Sequence, residues 1–165
     1  MAQLVWLPEL DTGIPEIDRQ HRRIVDYINK LYEVSQTHDR EALGNVIGET
    51  VDYTLSHFVF EESLMESSGY LFSGPHKKVH ELFTRRVAEM QTRFDGGEDV
   101  SAELHGMLLR WLFNHIRNED HGYVDTAKAY LRMMQQSNPA AEAARVQALE
   151  SKRQKKGWLA RLFSD

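Results

Sequence analysis

Seven residues have the types and spacing to hold metal: His21, His57, Glu61, His76, His80, His115 and Asp120. His57 and Glu61 are four residues apart, as are His76 and His80. On a helix that spacing puts both side chains on one face, one turn apart. Imidazole suits iron, copper, nickel and zinc, and a carboxylate can bridge two ions. The chain has no cysteine, so disulfides and thiolate sites are excluded and any metal must rest on nitrogen and oxygen. The pattern reads as a two-metal site inside a helical bundle.

Such a site needs helices to carry it, and helical periodicity dominates the chain, with no segment alternating long enough to suggest a strand. Residues 1–13 read as an extended arm broken by Pro8 and Gly13. A first helix is expected from Pro15 to Ser35, with Ile17, His21, Ile24, Val25, Ile28 and Leu31 on its apolar stripe. Asp39 suits the N-cap of a second helix ending near Ser67. A turn at Gly69 and Ser73-Gly74-Pro75 precedes a third helix, which carries His76, Val79, His80, Phe83, Val87 and Met90 on one side. After the Asp95-Gly96-Gly97 turn, Asp99 or Ser101 caps a fourth helix with the stripe Leu104, Leu108, Trp111, Leu112 and His115. Residues 121–136 continue as helix. The expected fold is all-α: an antiparallel up-down four-helix bundle with an N-terminal arm and a C-terminal helical tail. Residues 1–136 form its domain, and 137–165 form a separate basic amphipathic tail beginning at Asn138-Pro139.

Nearly every candidate ligand lies on the core stripe of its own helix. A polar group facing a core is costly unless it finds a partner. One core histidine is ordinarily hydrogen-bonded, but five joined by two acids exceed what ordinary hydrogen bonding satisfies. Asp120 is the exception in phase, since it lies about 140° around a regular helix from His115. It reaches the same site only if the helix ends or distorts between Ile116 and Glu119, where Asn118 and Gly122 favour such a break. Glu62 points about 100° away from Glu61, to solvent or to a partner that supports a ligand. His38, His105 and His121 read as non-ligands, with His121 nearest the mouth of the site.

From Trp6 to Leu131 the chain resembles the hemerythrins, in particular the bacterial single-domain members. The resemblance rests on Thr12-Gly13-Ile14-Pro15-Glu16-Ile17-Asp18-Arg19-Gln20-His21, on His57-Phe58-Val59-Phe60-Glu61-Glu62 with Leu64-Met65 and Gly69-Tyr70, on His76-Lys77-Lys78-Val79-His80, and on Trp111-Leu112-Phe113-Asn114-His115-Ile116 with Asp120. It implies a hemerythrin-like fold and an oxo- or hydroxo-bridged centre of two non-haem iron ions. His76, His80 and His115 would bind one iron, His21 and His57 the other, and Glu61 and Asp120 would bridge them. Two octahedral ions so ligated keep one open position, on the iron with two histidines, and the resemblance implies that dioxygen binds there reversibly. Ile24, Phe58, Phe83, Trp111, Leu112 and Ile116 are the candidate apolar wall of that pocket. No further general acid or base falls on the site face, which favours binding over turnover. Alternatives are an oxygen, nitric oxide or redox sensing module, and a diiron oxidase-type enzyme. The latter class uses Glu-x-x-His pairs, which this chain lacks.

Composition is consistent with one globular domain: 165 residues, 41% of them hydrophobic. The net charge of −5 is unevenly spread, since residues 137–165 carry six basic against three acidic side chains and the remainder is strongly acidic. An acidic domain with no basic stripe argues against nucleic acid as a partner. No signal peptide or membrane span is visible, so a cytoplasmic location is expected. Lys155, Lys156, Trp158, Leu159, Arg161, Leu162 and Phe163 in the tail suit a membrane surface, at the inner face, or a protein groove. Packing of the tail on its own domain or on a second copy is the plainer alternative.

Overall fold

Gly13 and Pro15 decide where the bundle begins. Gly13 adopts φ +75°, a left-handed conformation that few other residues tolerate, and Pro15 opens the first helix where its missing N–H is no loss. Asp18 then ties the arm to the helix, accepting from the Thr12 N–H and hydroxyl at 2.7 Å each and from the Gly13 N–H at 3.0 Å. The computed structural model describes residues 3–137 except His38, and Ala140, Ala143, Ala144, Val146, Gln147, Ala148, Glu150 and Ser151 beyond them. The helices are α1 (Pro15–Ser35), α2 (Arg40–Ser68), α3 (Ser73–Asp95), α4 (Ser101–Asn114) and α5 (His121–Ser137), with a π-helical turn at His115–Asp120 joining the last two.

Both ends of α2 follow the capping chemistry of the sequence, whereas α3 begins at Ser73, so that the turn expected at Ser73-Gly74-Pro75 is its first turn, where Pro75 needs no N–H partner. The Asp39 side chain accepts from the Ala42 N–H at 3.0 Å, the expected N-cap of α2. Gly69, at φ +73°, ends α2 in a left-handed cap, with its N–H on the Glu66 carbonyl and the Tyr70 N–H on the Met65 carbonyl. Asp99, rather than Ser101, serves the start of α4, accepting from the Ser101 N–H at 3.0 Å and its hydroxyl at 2.6 Å.

Short connections between consecutive helices make neighbours antiparallel. α2 packs against α1, α3 and α5, and α1 also packs against α4. The stripe expected on α1 is the face that is buried: Ile17, His21, Ile24, Val25, Ile28 and Leu31. Two apolar clusters result. The larger includes Ile24, Ile28, Phe58, Phe83, Leu108, Leu112 and Ile116, and the smaller includes Ile17, Phe60, Leu64, Met65 and Tyr123. On α1, His21 falls between Ile17 of one cluster and Ile24 of the other, so the polar residues sit in a seam closed by apolar packing on both sides.

Among the described residues no helix is long and apolar enough to cross a membrane. The boundary at Asn138-Pro139 and the amphipathic segment from Lys155 to Phe163 lie outside the described residues, as does His38. The described residues between 140 and 151 are helical, and Glu150 pairs with Arg19 of α1 at 3.1 Å.

The larger cluster carries the bundle's stability away from the polar seam. Replacing the fully buried Ile28 by alanine is expected to lower the unfolding free energy by about 2–5 kcal/mol. Urea denaturation checks this, and metal binding by the folded variant should be unchanged.

Candidate metal centre

Each helix brings its share of the site through a different local rule. α1 supplies His21 from its buried stripe. α2 supplies His57 and Glu61 one turn apart, and α3 supplies His76 and His80 in the same way. His115 and Asp120 come from the two ends of the π-helical turn. In that turn the hydrogen bonds run i to i+5, which stacks residue 120 over residue 115 instead of about 140° around from it. The distortion that the sequence requires for Asp120 is therefore present, as a local rewinding and not as a helix end. All seven side chains are buried, five of them at 1% exposure or less.

The five rings all turn Nε2 inward. His21 and His57 approach at 3.1 Å, His76 and His80 at 3.1 Å, and His80 and His115 at 3.3 Å. Ligand atoms of Glu61, His76, His80 and His115 lie within 4.8 Å of one another, and so do those of His21, His57 and Glu61. Glu61 is thus common to a group with three histidines and a group with two. Asp120 spans the same gap: Oδ1 is 3.0 Å from His115 and 3.6 Å from His76, while Oδ2 is 3.2 Å from His21. The structure brings together all seven residues singled out from the sequence.

Around them stands a supporting layer. His57 Nδ1 lies 2.9 Å from the Gln20 carbonyl oxygen, and His80 Nδ1 lies 3.1 Å from Glu62, whose carboxylate is also 3.3 Å from Lys77. The Tyr123 hydroxyl donates to Glu61 Oε1 at 2.5 Å. Glu62 therefore turns to a ligand, one of the two directions open to it from the sequence. Gln20 and Tyr123 were not legible as supporting residues. The i, i+4 pairing of Glu16 with Gln20 is the only signal for the first, and Tyr123 comes into phase only through the π-helical turn.

The aromatic part of the expected wall lies on the three-histidine side. Phe58 stacks on His80 with ring centroids 3.8 Å apart and planes 5° apart, Trp111 stacks on His115 at 4.4 Å, and Phe83 packs on Trp111 at 4.1 Å. Ile24, Leu112 and Ile116 are buried in the same apolar cluster. Trp6, absent from the expected wall, stacks over His21 at 6.3 Å. His105 stays off the site, its ring buried and tilted against Tyr32, and His121 is exposed.

The electrostatics are those of ligands in need of a cation. Burial pushes His57 down to about 3 and His76 down to about 4, against the attraction of Glu61. Burial also opposes a charge on His115, but Asp120 and Glu61 outweigh it and lift that ring to about 10. Against burial and the Glu61 charge, His115 holds Asp120 at about 2. Glu61, despite burial, stays well below the usual carboxylate range beside His57, His115 and His80. Once His57 and His80 donate through Nδ1, each Nε2 presents a lone pair. Those lone pairs face Glu61 Oε2 at 3.5 and 3.4 Å. Acceptor against acceptor at that distance is repulsive unless positive charge lies between them. Neither Asp120 oxygen is aligned to accept a hydrogen bond from the rings beside it. Nitrogen and oxygen donors in two sets, sharing carboxylates, fit two borderline transition-metal ions.

A helical bundle with a buried, histidine-rich and carboxylate-bridged donor set of this kind defines a protein suited to a non-haem diiron centre. Comparison with known proteins narrows the class. Residues 12–127 match the hemerythrin HHE cation-binding domain. The chain is 60% identical over 128 residues to a bacteriohemerythrin of Pseudomonas aeruginosa, covering 78% of this chain and 84% of that protein. It is 56% identical over 131 residues to one of Stenotrophomonas maltophilia, covering 79% and 86%. A crystal structure of wild-type hemerythrin superposes with a TM-score of 0.73 at 30% identity, covering 76% of this chain and 98% of that one. The chain belongs to the hemerythrin family.

The metal-free protein is expected to lose stability on acidification through its histidines. His57 and His76 titrate lower in the folded chain than the ordinary 6.5, so between pH 6.5 and 4 the unfolded state binds more protons and stability falls with pH. His115, raised to about 10, is protonated in the folded chain across this window, so it opposes the slope near pH 6.5, where the unfolded histidine is half protonated, and adds none below about pH 5.5. Thermal unfolding of chelator-treated protein should show a melting temperature that drops across this window. The drop should be smaller, by roughly half, in His57→Phe, which leaves the His76 contribution, and an unchanged melting temperature in the parent protein would contradict the burial argument.

Proposed function

We propose that this chain binds dioxygen reversibly at a diiron centre, as a carrier, store or delivery protein. In this reading His76, His80 and His115 hold one iron, His21 and His57 the other, and Glu61 and Asp120 join them. The observation that carries it is the meeting of two donor sets on Glu61, three histidines on one side and two on the other. The unequal count leaves the two-histidine position the less filled, and so the position for a small ligand. Two ferrous ions, when bound, supply the electrons that dioxygen needs.

The chain's own residues then decide how long the ligand stays. Ile24, on the buried face of α1 with His21, Trp6 over His21 and Phe58, which also lies 6.0 Å from the His57 ring, stand on the two-histidine side, while Phe83 and Trp111 close the three-histidine side and Leu112 and Ile116 add apolar bulk in the same cluster. An apolar wall keeps out water and protons, which would convert a held oxygen into a released, reduced product. The ionisable groups that touch the ligands are engaged, Tyr123 by Glu61 and Glu62 by His80 and Lys77. That arrangement favours holding oxygen over turning it over.

A second reading, a module whose iron state is passed to the C-terminal stretch, draws on one chain of contacts. It runs from His57 through Gln20 and Glu16 to Arg19 and then to Glu150. Its last link is a surface ion pair, worth about 0–1 kcal/mol, so it carries less weight than the closed site. A proteolysis rate at residues 140–151 that differed between reduced and oxygenated protein would favour it.

Purified protein is expected to hold two irons per chain. Its reduced form should develop an oxygenated visible spectrum in air that vanishes on degassing and returns on re-exposure. Irreversible bleaching without a stable oxygenated form would overturn the carrier reading. Trp111→Ala should speed decay of that spectrum by roughly tenfold, equivalent to about 1.4 kcal/mol of barrier, with iron content retained.

A further inference from the structure

The two halves of the donor set are backed by different charges. Each ring offers Nε2 to the centre and keeps Nδ1 outward; an acceptor at Nδ1 fixes the tautomer and raises the basicity of the ligand, and His57 and His80 have one. On the three-histidine side the acceptor is a carboxylate: Glu62 lies 3.1 Å from His80 Nδ1 and 3.3 Å from Lys77. On the two-histidine side it is a neutral amide: the Gln20 oxygen lies 2.9 Å from His57 Nδ1. Gln20 cannot turn its NH₂ group to that ring, because this group donates to Glu16, and Glu16 is held in turn by Arg19 through two contacts of 2.9 and 2.6 Å. The Nδ1 atoms of His21 and His115 have no hydrogen-bond partner. Among the described residues, a carboxylate, shared with Lys77, thus touches a ring of the three-histidine position, and only a neutral amide touches a ring of the two-histidine position.

We propose that Glu62 and Gln20 are positioning residues that make the two iron positions unequal in redox potential. The inference rests on the diiron reading above. A carboxylate behind His80 pulls its Nδ1 proton outward, enriches Nε2 in electron density and stabilises the ferric ion there. The amide behind His57 does this far less, so the iron of the two-histidine position gives up its electron less readily and is the first to be reduced. Glu16 and Arg19 matter because they hold the Gln20 amide in one orientation. In a one-electron-reduced centre the ferrous ion would then occupy the two-histidine position and the ferric ion the three-histidine position.

The test is a mediated redox titration of the intact, iron-loaded chain, which takes up one electron per iron in two steps. The wild-type iron content is read first: fewer than two irons per chain would sink the diiron reading itself, before any variant is compared. Glu62→Gln preserves an acceptor for His80 Nδ1 and removes only the charge, so the lower of the two potentials should rise. The double change Glu16→Gln with Gln20→Glu leaves the net charge constant and moves the carboxylate next to His57, so the upper potential should fall. Both variants therefore narrow the gap between the two steps, from opposite ends, with two irons retained. A gap unchanged in both loaded variants, or a shift of either potential in the other direction, would overturn the proposal. So would reduced iron content with the gap unchanged in the loaded fraction, which marks a structural role alone.

Discussion

The structure depends on a repulsion between buried donors that positive charge between them removes. His57 and His80, with their protons committed to Gln20 and Glu62, turn lone pairs toward the same oxygen of Glu61 at 3.5 and 3.4 Å. Four helices converge on that oxygen or its neighbour, and none of them can withdraw without opening the apolar clusters above and below. Such a core leaves lone pairs aimed at one another that two bound metal ions would satisfy. This is why ligand identity, helix phase and core packing cannot be treated separately in this fold: the same residues on α1 alternate between packing and ligation.

Much of this was legible in the residue order, because the same period that places leucine and isoleucine in the core also places His21, His57, Glu61, His76, His80 and His115. A helical stripe that contains histidine is read with the stripe. The start of α1, the Asp39 cap and the left-handed Gly69 are likewise local chemistry, written in a few adjacent residues. Asp120 shows where this reading reaches its limit. The sequence requires a distortion near it, and Asn118 and Gly122 locate the distortion, but nothing in them selects a π-helical turn over a helix end. The choice is made by α5, whose buried Tyr123, Val124 and Ala127 need the chain to continue along the bundle.

The supporting layer was harder to see for a different reason. Gln20 and Tyr123 act through hydrogen bonds between helices, and their positions depend on how those helices are rotated against one another. A polar residue next to a ligand reads as surface until the neighbouring helix is known. The same holds for Trp6, which reaches His21 from the arm and not from any helix. The wall expected from spacing alone therefore captured the aromatic groups over His80 and His115 and left out the one over His21.

The central claim is that two donor sets share Glu61 and Asp120 around a pair of irons. A crystal of the iron-loaded protein, with anomalous scattering collected on both sides of the iron edge, tests it most directly. The account requires two iron peaks within the bundle, one bounded by His76, His80 and His115 and the other by His21 and His57, with both carboxylates between them. A single peak, or a peak ligated by residues other than these seven, would contradict it.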